Sequence, residues 1–185
     1  MDVLSGLTLA APAGVNAYIP LLTVAVAERL GWIHLTEPFD ALSSWWIIVI
    51  IAVLLAVEIV ADKIPAVDHV NDVMQTVVRP AAGGLLAVSA SGQATVSRVV
   101  LLVAGILIAG GVHSVKASAR PAINVSTAGI GAPAVSTLED IGAAVVTVLA
   151  LVAPLIALAV IVAVVVIAVV LVRRWRRRRS GHKTA

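Results

Sequence analysis

Glu58 and Asp62 stand four residues apart, directly after a stretch, Trp45 to Val57, that holds no charged side chain. On a helix this spacing puts both carboxylates on one face. Two like charges there repel unless a proton, a cation or a basic side chain lies between them. The chemistry to expect is therefore reversible binding of a proton or small cation, with Lys63 beside the pair. A second set, His113, Lys116 and Arg120, falls at i, i+3 and i+7 and forms one basic helix face. The simplest arrangement packs the acidic face on the basic one, with Glu58 against Lys116 or His113 and Asp62 against Arg120. Asn16 and Asn124 lie near breaks in their segments and offer neutral ligands to the same ion. Two alternatives stay open: the basic trio takes an anion, or all these groups are structural ion pairs. Asp68, His69 and Asp72 follow Pro65 on a short amphipathic piece and read as solvated or vestibule charges.

These groups need elements that hold them, and composition says what kind. Of 185 residues, 61% are hydrophobic and 12% charged; a soluble domain has about 45–50% and about 25%. The excess points to an integral membrane protein. Cysteine is absent, which removes disulfides, thiolate metal sites and cysteine nucleophiles. The net charge of +3 hides an asymmetry: residues 173–185 carry six Arg and one Lys, and the rest carries six basic against ten acidic residues, or −4. The basic character thus belongs to an anchor and implies no nucleic acid. Arg173, Arg174, Arg176, Arg177, Arg178 and Arg179 are expected to lie in the cytoplasm and to meet anionic lipid there. The Ala- and Val-rich composition suggests a bacterial inner membrane. The first residues carry Asp2 and no basic start, so the first apolar segment reads as a retained span rather than a cleaved signal.

Segment by segment, the expected fold is all-α, with four to six membrane-embedded helices. Span one covers about Val3 to Ala27 and breaks around APAGVNAYIP, where Pro12, Gly14, Asn16 and Pro20 cluster. Residues 28–44 form an interfacial connection. Span two covers about Trp45 to Ala61, with tryptophans at its entry. Ala81 to Val96 is a short or re-entrant helix, and a further span covers about Val99 to Val115. Ile141 to Val172 is either one long tilted helix or two pieces bent at Pro154. Four full spans would put both chain ends on one side, and Lys116 and Arg120 on the other, against the positive-inside tendency. The domain plan is one transmembrane domain, 1–172, with a basic tail, 173–185. IPAVDHVN (64–71) echoes RPAINVST (120–127) at an offset of 56, so degenerate repeats over about 3–80 and 81–172 are an option.

Enzyme motifs are missing. No His-Glu-x-x-His or Gly-x-Ser-x-Gly pattern occurs. KASARP (116–121) with SGH (180–182) has neither the spacing nor the later Arg and His of a phosphatidic-acid-type phosphatase. The expectation is a non-enzyme with no cofactor.

The set GLTLAAPAGVNAYIPLL, EIVADKIPAVDHVND with VVRPAAGGLL, HSVKASARPAINVSTAG and VSTLED resembles a bacterial family of small membrane proteins described as domain of unknown function 4126. The resemblance runs to about Val160. It implies recurring polar positions at Glu58, Asp62, Lys63, Asp68, His113, Lys116, Arg120 and Asn124, and no established activity. Glu58-Ile-Val-Ala-Asp62-Lys63 is also similar to the signature of small calcium/manganese–proton exchangers of the lysine-exporter-like superfamily. There the Glu-to-Asp spacing is three, Ala61 stands where they have glycine, and Ile64 where they have Thr or Ser. The expected function is passage of a small ion or solute through a polar intramembrane site. The competing expectation is a scaffold or lipid-interacting protein. A homo-oligomer is compatible with both.

Overall fold

A computed structural model describes residues 1–90, 96–127 and 130–180; of the side chains, those of 65, 66, 68, 69, 171, 172 and 175–180 are outside the description. Asp68, His69 and Arg176 to Arg179 fall among the latter. The described residues form seven α-helices, one 3-10 helix and no strand.

Helix α1 (Val3–Val15) starts at Asp2, whose carboxylate accepts from the Ser5 backbone N–H at 2.8 Å. It stops at Asn16, which is extended, with φ −147° and ψ 117°. The Asn16 Oδ1 then accepts from the backbone N–H groups of Tyr18 (3.1 Å) and Ile19 (3.2 Å). One side chain thus ends α1 and caps α2 (Tyr18–Arg29). At the far end of α2, Gly31 has φ +72°, Trp32 N–H bonds to the Ala27 carbonyl and Gly31 N–H to that of Glu28. This is a Schellman closure, which needs the left-handed conformation that glycine tolerates.

Both open ends of the α1–α2 pair lie at one end of the molecule. Gly6 in α1 faces Ala87, near the end of α4, while Gly14 faces Ala109 and Val112, midway along α5. At the other arm, Arg29 donates to the Ser43 carbonyl and stacks on Trp45, and the following Thr36 bonds to Ser89. The chain therefore enters, turns at Asn16 in the interior and returns. The expected single span over Val3 to Ala27 is corrected to a hairpin of two half-helices; the expected break is where APAGVNAYIP placed it.

A connection with a 3-10 turn (Phe39–Ser43) leads to α3 (Trp45–Ala61), whose bounds match the expectation. Pro65 opens α4 (Pro65–Ser89), since proline at a first helical position loses no hydrogen bond. Here the expectation was wrong: instead of a short helix over Ala81 to Val96, a 25-residue helix ends at Ser89. α5 (Arg98–Ser126) likewise runs past Val115, through Pro121. The two Pro-Ala stretches of the sequence echo differ in setting, one opening α4 and the other lying inside α5. The apolar run after Ile141 is divided. α6 (Ala132–Val152) stops at Ala153 (φ −146°, ψ 71°), and α7 (Pro154–Ser180) begins at Pro154. A residue before proline is pushed out of the helical region. α7 folds back on α6 about this point, so that Glu139 to Val146 and Val160 to Val165 line one groove. Its backbone helix continues through the basic stretch as far as Ser180.

α1, α4 and α5 form the tight centre. A Cβ at Gly83 would lie 2.8 Å from the Gly105 carbonyl oxygen, so these two backbones touch. α3 lies outside this centre and packs sparsely on α4, while α6 packs on α1 and only sparsely on α5. Large apolar side chains face outward: Val49, Ile50, Val53 and Val57 on α3, Ile141, Val145 and Val148 on α6, and Val162 to Ile167 on α7. Two described helices, α5 and α6, are long and apolar enough to cross a membrane, with mean hydropathy 2.0 and 1.8.

Candidate functional site

The interior of this oily bundle is ionic. Glu58 and Asp62 are each 1% exposed, Arg79 0%, His113 and Arg120 3% and Lys116 6%. The network joins five helices, α1, α3, α4, α5 and α6. Arg79, on α4, donates to Glu58 Oε1 of α3 at 2.8 Å and to His113 Nδ1 of α5 at 2.9 Å. It also lies 3.8 Å from Asp62 and 3.7 Å from Asp72. Lys116 has three ammonium protons and three oxygens in reach: Val15 carbonyl (2.9 Å), Asp62 Oδ2 (3.0 Å) and Glu139 Oε2 (3.3 Å). Arg120 bonds to Glu139 at 2.8 Å and reaches Asp62 Oδ2 at 3.4 Å. Asn71 donates to the other Asp62 oxygen at 2.9 Å.

Why the sequence assembles this is local. Val15 is the last residue of α1, so its carbonyl has no helical partner; Lys116 supplies one. Asn16, at the hairpin tip, also donates through Nδ2 to Asp140 Oδ1 at 3.0 Å. The basic trio falls on one face of α5, as its spacing requires, and all three are buried. Arginine is donor-only, so His113 Nδ1 must accept and Nε2 must carry the proton. Nε2 then donates to Thr76 Oγ1 (3.2 Å), which in turn donates to the Asp72 carbonyl (2.9 Å). His113 is neutral in this arrangement.

The structure brings Glu58, Asp62, Asn16, His113, Lys116 and Arg120 together and leaves two candidates out. Lys63 turns back to its own helix, donating to the Ile59 carbonyl at 3.0 Å. Asn124 is half-buried, its Oδ1 without a hydrogen bond. Asp62 meets Arg120, as the spacing suggested. Glu58, however, pairs with Arg79 rather than with Lys116 or His113, and Lys116 goes to Asp62 instead. Sequence reasoning missed Arg79, Asp72, Asn71, Thr76, Glu139 and Asp140. A signal for Arg79 existed: it is the lone charge between Val73 and Ser97, and an isolated arginine in an apolar stretch needs a buried partner. Asp72, read as a vestibule charge, is 12% exposed and faces Arg79. Arg173 and Arg174 are exposed.

Fold and site together define an all-helical chain with an apolar exterior and a buried network of carboxylates and cations at the tip of a broken helical hairpin. The chain belongs to the family described as domain of unknown function (DUF4126), whose family model matches residues 3–174. Among curated proteins and among solved structures, nothing matches at a significant level. The similarity to calcium/manganese exchangers gains nothing from these comparisons, and among the described residues no group of three His, Cys, Asp or Glu is placed to hold a metal ion.

Proposed function

We propose that this chain is a polytopic membrane protein of the bacterial inner membrane that moves a small ion or solute through the network around Glu58, Asp62, Arg79 and Lys116. The observation that carries this reading is the inverted polarity: Glu58, Asp62 and Arg79 are almost fully buried, while Val49, Ile50, Val53 and Val57 of the same α3 are half exposed or more. Water would favour the opposite arrangement; hydrocarbon favours this one. In this reading α3 to α7 cross the bilayer and α1–α2 is a re-entrant hairpin. Non-helical backbone at membrane depth is tolerated where it is buried in protein or lines a cavity, and broken helices meeting charged groups are how many secondary transporters build their sites. Charges at the bilayer centre cost about 2.5–3.5 kcal/mol each on insertion scales, which favours retention for a task. The arginine stretch at the end of α7 then faces the cytoplasm and binds anionic lipid at about 1 kcal/mol per basic residue near the surface. Lys116 and Arg120 fall in the half of the bundle nearer that stretch, so the conflict expected from four full spans disappears.

The test is flux in proteoliposomes, with Glu58→Gln beside wild type. The expected result is ion or proton movement by wild type and its loss in the folded variant. If a broad ion panel gives no flux, and charge neutralisation only lowers stability, the network is structural and the scaffold reading takes over.

A further inference from the structure

We propose that the species handled by this site is the proton, and that Glu58 and Asp72 share one exchangeable proton under the control of Arg79; this rests on the transport reading above. The first ground is charge. Glu58, Asp62, Asp72 and Glu139 set four negative charges against three positive ones, Arg79, Lys116 and Arg120, with His113 neutral by its bond from Arg79. Among the described residues the surplus of this ion-paired cluster is one carboxylate; Asp140, bound to Asn16, belongs to none of these ion pairs. A low-dielectric interior disfavours an uncompensated charge and is relieved by one proton.

The second ground is where the unpartnered oxygens are. Asp62 is engaged through both oxygens, by Asn71 and Lys116, and Glu139 is held by Arg120 and Lys116. Glu58 Oε2 and Asp72 Oδ1 are buried atoms with no hydrogen bond, one on each side of Arg79. Arg79 is bonded to Glu58 at 2.8 Å and stands 3.7 Å from Asp72. It neutralises one acid at a time; the other holds the proton. Glu58 is 1% exposed and Asp72 12%, so Asp72 is the outer port and Glu58 the inner carrier. In one state Arg79 holds ionised Glu58 and the proton taken from water sits on Asp72. When Asp72 gives that proton up to Glu58, Arg79 turns to the ionised Asp72, so one O–H bond breaks as the other forms. No bond other than O–H is made or broken, and the proton is conserved at each exchange. The groups facing the pair are Arg79 on α4, Asp62 at the end of α3, and His113 and Lys116 on α5. A bare metal ion suits this place poorly, because basic side chains occupy the approaches to Asp62 and Glu139.

The experiment is pH-difference infrared spectroscopy of the full chain in lipid nanodiscs, over a pH series from acid to alkaline. It is run beside proton flux into vesicles holding a pH-sensitive dye. Carboxyl-labelled glutamate and aspartate assign bands without relying on a variant's folding. The expected result is a protonated-carboxyl band that titrates, shifts with either label, and changes in both Glu58→Gln and Asp72→Asn, with proton flux reduced at least tenfold in each. Absence of any protonated-carboxyl band, or a band unchanged in both variants, overturns the inference. A band with no flux leaves the proton site standing and removes the transport reading. Flux of another ion without the band does the reverse.

Discussion

Arg79 is the residue on which the interior turns. It is fully buried, holds Glu58, fixes the His113 tautomer and stands near Asp62 and Asp72. A buried ion pair adds little net stability over an apolar pair, but removing one partner strands the other's charge, at about 3–5 kcal/mol. Arg79→Leu should therefore lower the unfolding free energy in micelles by about that amount. The double variant with Glu58→Leu should be more stable than Arg79→Leu alone; equal instability would show that Glu58 is not the charge Arg79 neutralises. Asp2 acts at the other extreme of exposure. Hydrogen bonds from the Ser5 backbone N–H and hydroxyl hold its carboxyl below the usual value near 3.8. A lowered value means that the cap contributes above the unfolded-state pKa and fades as pH falls through the folded one. Asp2→Ala should cost about 1 kcal/mol at neutral pH, and the gap to wild type should close in acid, as thermal melts at several pH values would record.

Among elements, the contrast is between a centre packed backbone to backbone and helices tied on by charge. Gly83 meets Gly105 and Ala109 with no room for a side chain. Gly83→Leu should separate α4 from α5 and destabilise the protein by at least about 1–3 kcal/mol, the usual effect of overpacking. A stable, fully active variant would mean that this contact is not the centre of the fold. α3 touches α4 sparsely and reaches the centre through Glu58 and Asp62, whereas α6 packs on α1 and adds Glu139 to the network. Neutralising Glu58 and Asp62 is expected to loosen α3 before α4 and α5, which amide hydrogen exchange resolves helix by helix.

For the molecule as a whole, the membrane reading proposed above makes the α1–α2 hairpin decide the sidedness. α1–α2 opens at the end where α3 begins, and α7 ends at the opposite one. Because the chain contains no cysteine, single-cysteine variants can be labelled without background. Cysteines at Trp32 and at Arg174 should react with impermeant reagents from opposite sides of sealed vesicles. Labelling from one side would restore the even number of crossings that four full spans imply.

Much of this was readable from residue order. The 17 residues of α3 follow from an apolar run between Ser44 and Asp62 that is uncharged up to Val57 and interrupted by Glu58 alone, and the Asn16 break from a polar residue between prolines. The Ala153 stop follows from the proline after it. The basic face of α5 follows from helical period alone, because 3.6 residues per turn fixes which side chains align. Partner choice was not readable. Glu58 had two expected partners, Lys116 and His113, and only the way α4 packs beside α3 and α5 gives it Arg79. How α4 meets α5 is fixed by the Gly83–Gly105 contact, between residues 22 positions apart in sequence. The return of α2 was equally hidden, since a hydropathy pattern records burial and not direction. Local chemistry therefore did not fix the lengths of α4 and α5, whose polar turns stay helical because the network buries them. It fixed the bounds of α3, the breaks at Asn16 and Ala153 and which residues demand partners. Only the tertiary structure decided which partners they find, because that depends on distances between helices that no local period encodes.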